Sequence, residues 1–165
     1  MEIKWSYCSQ GKISTRTINM FSKSLERLGF SGVNYPGHGQ EGSDQFKLSQ
    51  AVIVPPGKQV WVTGQMGWTE GFKAVTSSLT DHYLQAFENV ALALAAAGSS
   101  WEYVFKVESF HAATDKGLMG PDFAEAMGKC IEKYLGDHRP AWTAIGSNFN
   151  TDMKIEIQVY AAVPE

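Results

Sequence analysis

The chain has 165 residues, 44% of them apolar and 19% charged, with a formal charge of −3. That length and balance fit one globular domain with a substantial core and exclude the polar, highly charged regime of disorder. A mildly acidic chain without clustered Lys and Arg lacks the usual means of neutralising phosphates, which disfavours DNA or RNA as a partner. Cys8 and Cys130 are the only cysteines. They belong to no CxxC or Cys/His cluster, the usage of a reducing compartment, so both read as free thiols and Cys130 as a small buried hydrophobe. No apolar run reaches the roughly eighteen residues that span a bilayer, and the N-terminus lacks the apolar stretch of a secretory signal. The expected location is therefore cytoplasmic. Residues 1–30 are rich in Ser and carry Lys4, Lys12, Arg16, Lys23 and Arg27 against Glu2 and Glu26, a faint likeness to a transit peptide that keeps the mitochondrion as a lesser alternative.

In chain order, the first thirty residues are the least patterned and suggest one strand and then a short helix around Ser22 to Leu28. The segment Val33 to Asp44, dense in Gly and Pro, reads as a loop. Phe46 to Val54 and Gln59 to Thr63 read as strands, and Pro55-Pro56-Gly57 as a tight hairpin between them. Leu84, Phe87, Ala91 and Leu94 recur at spacings of three and four, which predicts a helix from Ser78 to Ala97, capped by Ser78 or Thr80 and ended by Gly98. Tyr103 to Phe110 is the next strand. A second amphipathic helix runs from Pro121 to Leu135, with Phe123, Met127, Ile131 and Tyr134 on one face and Gly136 at its exit. Ala141 to Ser147 and Lys154 to Ala162 complete the strands. This order predicts an α+β domain: a mixed sheet with two helices on one face.

No GxSxG elbow, no GxGxxG or Walker loop and no HExxH is present. His38, His82, His111 and His138 share no metal-ligand spacing, so no metal and no cofactor is expected. If the chain is an enzyme, a small-molecule site among aromatic and amide residues at strand ends is the best remaining option. Val62-Thr63-Gly64-Gln65-Met66-Gly67-Trp68 is one such place, where glycine allows close approach and Gln65 and Trp68 offer an amide and an aromatic wall. On pattern alone the same stretch reads first as an ordinary strand end with a glycine turn. By alternation alone Glu156 is a solvated strand residue.

Four segments carry more. Leu48-Ser49-Gln50-Ala51, Val62-Thr63-Gly64-Gln65, Gln85-Ala86-Phe87-Glu88-Asn89-Val90 and Ala96-Ala97-Gly98-Ser99-Ser100 occur in the order and spacing of one family. On them the chain resembles the RidA/YjgF family, the reactive intermediate deaminases formerly called L-PSP endoribonucleases. Val104-Phe105-Lys106-Val107, Arg139-Pro140-Ala141-Trp142-Thr143-Ala144 and Lys154-Ile155-Glu156-Ile157-Gln158-Val159 extend the likeness over about Leu48 to Val163. It implies a chorismate-mutase-like (RidA-like) fold, assembled as a homotrimer with ligand pockets in the clefts between subunits. Residues 1–34 then form an N-terminal extension packed on the domain, and 35–165 the RidA-like domain.

Family deaminases hydrolyse enamines and imines such as 2-aminoacrylate and hold the substrate carboxylate with an arginine on the Pro-Ala-Arg strand. That position is Trp142 here. The family tyrosine before Ser-Gln is Leu48, and an asparagine often found on the second helix aligns with Met127. Thr63, Gly64 and Glu156 remain in register, the last at the position of the carboxylate that orients the attacking water. Tyr35-Pro36-Gly37, Gln65-Met66-Gly67-Trp68 and Ser109-Phe110-His111 also look like a branch, seen in fungi and some bacteria, in which tryptophan replaces the arginine. Phe110 and His111 end a strand beside the cleft in that layout, and His111 is a candidate acid or base or simply a histidine in a solvated loop.

Two functions follow from the resemblance. The first is an enzyme acting on an imine, enamine or unsaturated carbonyl by water addition or proton transfer, with Glu156 and His111 as acid and base. Leu48, Thr63, Gly64, Gln65, Trp68, Phe110 and Trp142 would then contact a small-molecule ligand that needs no carboxylate clamp. The second is a non-catalytic trimer that binds a small molecule or a protein. The acidic balance weighs against a third, RNA cleavage.

Overall fold

The computed structural model describes residues 16, 17, 21–113, 121–149 and 151–164. Its elements are β1 (Arg16–Thr17), α1 (Lys23–Arg27), β2 (Ser31–Asn34), α2 (His38–Phe46), β3 (Ala51–Ile53), β4 (Gln59–Met66), β5 (Trp68–Thr69), β6 (Lys73–Ala74), α3 (Leu79–Ala96), β7 (Val104–Ala112), α4 (Pro121–Tyr134), β8 (Ala141–Ser147) and β9 (Ile155–Ala162). Four strands form the central sheet in the order β4-β9-β7-β8. The first two pairings are antiparallel. The last is parallel, because α4 carries the chain from β7 back to the start of β8. The fold is the α+β class with a mixed sheet, as the element order predicts.

Alternation decides which face each strand residue takes. Ile155, Ile157, Val159 and Ala161 of β9 are completely buried, and opposite them in β7 lie Val107, Ser109 and His111. Helices α3 and α4 cover this face with Phe87, Val90, Leu94, Ala126, Met127 and Cys130. Both helices have the ends their sequences call for. The Ser78 hydroxyl accepts from the Asp81 amide at 3.0 Å. Gly98 and Gly136 follow the two helices with φ of +74° and +55°, a conformation that side-chain-bearing residues adopt at a cost. Cys130 is a free thiol in the core, its pKa pushed up to about 12 by burial.

Three expectations are corrected. The Gly- and Pro-dense segment is not a loop: β2 ends at Asn34, and α2 follows the Pro36-Gly37 turn. Its composition hides the helix because the helix is held by tertiary contacts. Arg139 donates to Asp44 at 2.8 Å and to the Ser43 carbonyl at 3.1 Å, and a Cβ at Gly39 would overlap the Tyr35 ring. The strand expected from Phe46 shrinks to Ala51–Ile53, since Phe46 ends α2 and Lys47 takes a left-handed φ of +55°. Finally, β3 and β4 do not form a hairpin: β3 pairs with β2, and β4 with β9.

Helix α1 forms where a short helix is expected, with the Ser22 hydroxyl accepting from the Leu25 amide. Phe21, Leu25 and Phe30 make a small second core with Phe105 and Ala162. The Ser22 amide donates to His138 Nδ1 at 3.1 Å, and His138 Nε2 donates to the Val104 carbonyl.

Candidate functional site

Trp142 lies on the parallel edge strand β8, paired with Val107, and therefore projects to the helix side of the sheet. Its ring packs against the core beside Phe87, centroids 6.4 Å apart. The indole Nε1 donates to Ser109 Oγ at 2.9 Å. Ser109 Oγ lies 2.8 Å from His111 Nε2, His111 Nδ1 lies 3.0 Å from the Tyr83 hydroxyl, and that hydroxyl reaches the Lys154 carbonyl at 3.5 Å. Only one assignment satisfies every donor: Ser109 donates to Nε2, Nδ1 donates to Tyr83, and Tyr83 donates to the carbonyl. His111 is thus neutral, and burial alone pushes its pKa down to about 4. The same burial pushes the Tyr83 hydroxyl up. Among the described residues this chain of four side chains is closed, with Tyr83, Ser109 and His111 buried and Trp142 half-buried at its outer end.

The other face of the sheet carries the second group. Glu156 stands opposite Phe110 in β7 and opposite Met66 in β4. Between Val62 and Gln65 the register shifts, so that Thr63 and Gly64 together oppose the single Gln158. Such a bulge re-aims the backbone locally. A Cβ on Gly64 would overlap the Glu156 carboxylate, so only glycine fits there. The carboxylate is half-buried and, among the described residues, has one weak partner, Gln158 Nε2 at 3.5 Å. Further along the same face Tyr160 donates to Glu108 at 3.2 Å, and Lys106 pairs with Glu108 at 3.2 Å. Glu156 is the member of this row left available.

A cleft of about 730 Å³ opens at the β8 edge, between α4 and the C-terminal end of α2. Leu48, Met127 and Trp142 all line it, together with Phe46, Phe123 and Ile131. The three positions where the family resemblance expects tyrosine, asparagine and arginine thus converge on one surface, and all three are apolar. Ser49 holds the Leu48 wall in place: its hydroxyl donates to the Arg139 carbonyl at 2.6 Å and its amide to the Pro140 carbonyl.

The expected site residues therefore separate into groups. Thr63, Gly64, Phe110 and Glu156 sit together on the open face, and Gln65 is tied to them through its amide donating to the Thr63 carbonyl at 3.3 Å. Leu48 and Trp142 share the cleft. Trp68 lies beyond the end of β4, edge-on to Phe72, with its carbonyl held by Asn89. His111 is on the opposite face of the sheet from Glu156 and is sealed beneath α3, so one chain does not bring that pair together. Sequence reading missed Tyr83, Ser109 and Phe46. A signal for the first two exists: Ser109 and His111 occupy the inward parity of β7, and inward polar residues require partners.

Among the described residues no group of three or more His, Cys, Asp or Glu is placed to hold a metal, and no helix is long and apolar enough to cross a membrane.

With this geometry in hand, known proteins supply the context. The family model described as Endoribonuclease L-PSP matches residues 43–163. The RutC family protein YjgH of Escherichia coli is 29% identical over 115 residues, 70% of this chain and 83% of its own. Protein MMF1, mitochondrial, of Saccharomyces cerevisiae is 31% identical over 101 residues, 59% of this chain and 65% of its own. Among solved structures, the Rid family protein YyfB from Yersinia pestis superposes with a TM-score of 0.67 at 20% identity, covering 81% of this chain and 98% of that one, a likeness of fold. The order of strands and helices, the retained segments from Leu48 to Val163 and the family match agree, and the chain belongs to the RidA/YjgF family, the family of Endoribonuclease L-PSP.

Proposed function

We propose that this RidA-like protein acts on an uncharged reactive intermediate, an imine, enamine or unsaturated carbonyl, by water addition or proton transfer at Glu156. The observation that carries the reading is the contrast between two positions. The residue at the family's clamp position, Trp142, is committed to the core through Ser109 and offers no positive charge. Glu156 keeps a half-buried carboxylate with one weak partner among the described residues. Water addition to an imine needs one group that takes a proton from water as its oxygen bonds the carbon and returns a proton to the nitrogen. The C–N bond of the resulting carbinolamine then breaks as its hydroxyl proton passes through the same group to the nitrogen, leaving a carbonyl and an amine. A single carboxylate can serve both relays, since it ends each one in the state in which it began. A substrate carboxylate, by contrast, would lack its bidentate partner.

Glu156 and the Trp142 cleft lie on opposite faces of one sheet. Both contribute to one pocket if a second copy sets its open face against the β8 edge of the first, the arrangement of a homotrimer with inter-subunit clefts. The solution mass tests this directly: three times 18.2 kDa supports it, and a monomer that still turns over substrate rejects it.

The catalytic reading is tested with an uncharged arylimine such as N-benzylidenemethylamine, followed by aldehyde release. Glu156→Gln should lower the enzymatic rate by about 100-fold or more while melting unchanged. Equal acceleration by the two proteins would remove Glu156 from the chemistry, and no acceleration by either would leave the alternative, a non-catalytic trimeric binding module.

A further inference from the structure

The cleft beside Trp142 also defines what it accepts. Its floor and walls are Phe46, Leu48, Phe123, Met127, Ile131 and Trp142, and the charged groups that line it are Lys47, Glu132 and Asp137. One lysine against two acids leaves the cleft slightly negative, which opposes an anion before any contact forms. At about 730 Å³ it lies well within the range of pockets for drug-sized molecules and is far larger than a three- or four-carbon acid requires. Phe46 remains 45% exposed on the outer wall.

The outer wall is held independently of any ligand. Helix α2 has few apolar side chains and is anchored by polar contacts: Arg139, itself 3% exposed, donates to Asp44 and Ser43, and Gln50 Nε2 donates to the Gly39 carbonyl at 3.2 Å. The left-handed Lys47 then turns the chain so that residues on both sides of it, Phe46 and Leu48, line the same cleft. An anchored, uncovered aromatic wall opposite Phe123 and Ile131 is a preformed slot.

We infer that this slot binds a neutral molecule with an aromatic or extended hydrocarbon body, and that Phe46 at the end of α2 sets the preference. The inference rests on the reading of the cleft as the ligand site and adds the substrate class. The hydrocarbon body would stack between Phe46 and the α4 side chains, with Trp142 as floor. The polar, reactive end would point outward, past Ala144, where a second copy would bring Glu156.

A matched pair of fluorescent probes tests it: N-phenylnaphthylamine and anilinonaphthalene sulfonate, which share one aromatic body and differ by a sulfonate. The wild-type protein should bind the neutral probe saturably, one per chain, and the anionic probe at least about tenfold more weakly. Phe46→Ser should weaken the neutral probe about tenfold. Ala144→Arg, at an exposed position lining the cleft, should reverse the order of the two probes. Both substitutions lie outside the buried core, and circular dichroism checks their fold. Preference for the sulfonate in the wild type would overturn the inference, as would neutral-probe binding indifferent to both substitutions. Turnover of the arylimine is read on the same samples. Probe binding as described without turnover leaves the ligand class standing and removes the chemistry. Anion preference with Glu156-dependent turnover does the reverse.

Discussion

The two faces of the central sheet use polar residues in opposite ways. On the helix side, Trp142, Ser109, His111 and Tyr83 form a closed chain in which every donor is satisfied. On the open side, Lys106, Glu108, Glu156, Gln158 and Tyr160 are half-buried and linked by longer contacts, and Glu156 is the least committed. A buried polar group with all its bonds made stabilises one structure and has no proton to exchange. A half-buried carboxylate against a glycine bulge has both space and a free oxygen. The proposed function accordingly places its chemistry on the open face and its rigid support on the helix side.

The contrast can be broken from the helix side first. Phe87 is completely buried and stacks on Trp101 and Tyr134, with centroids 5.1 and 5.4 Å away. Phe87→Ala should cost about 3–5 kcal/mol in urea unfolding, because it leaves a cavity between α3 and the sheet. A loss below about 1 kcal/mol would mean that this core is far looser than its burial indicates.

Acid should attack the same side. Burial holds the pKa of His82, His111 and His138 below the ordinary 6.5, that of His111 down to about 4. A depressed histidine pKa favours the neutral form in the folded state. Its contribution is therefore complete above pH 6.5 and lost as the pH falls from there through the folded value. For His111 the loss spans pH 6.5 to 4 and reaches about 3 kcal/mol. The urea midpoint should fall across that window, and His111→Gln should flatten the slope while lowering stability at neutral pH. A midpoint independent of pH between 6.5 and 4 would contradict the closed neutral chain.

A finer probe is Trp142→Phe, which keeps an aromatic ring and removes the donor to Ser109. It should cost about 1–2 kcal/mol, since Ser109 can still donate to His111. The smallest effect belongs to the surface: Lys129 pairs with Glu125 at 2.6 Å on exposed α4, and Lys129→Gln should move the melting point by no more than about 1 °C.

Much of this architecture was legible in the sequence, for stated reasons. Helices α3 and α4 announce themselves through Ser78, Gly98, Pro121 and Gly136 and through apolar residues spaced three and four apart. Strands β8 and β9 show β-branched and aromatic residues between clear breaks. Helix α2 was illegible because its stability lies in Arg139, about a hundred residues away, and not in its own composition. The pairing of β3 with β2 was illegible because register depends on partners that a local pattern does not name. For the site, the family resemblance pointed to Thr63, Gly64 and Glu156, which the bulge in β4 brings together. The separation of Glu156 from His111 also follows from strand parity once the β7–β9 register is known. Phe46 could not be found, because the segment reads as a strand and only the left-handed turn at Lys47 aims it into the cleft.

The most direct test of the account is ammonia release from freshly generated 2-aminoacrylate, measured for the wild-type protein against the uncatalysed rate, with a family deaminase carrying the arginine as positive control. The absence of a positive group at Trp142 predicts no acceleration over the uncatalysed rate while the control turns over. Ammonia release at a rate comparable with the control would show that the substrate carboxylate is held without that arginine, and would contradict the central claim.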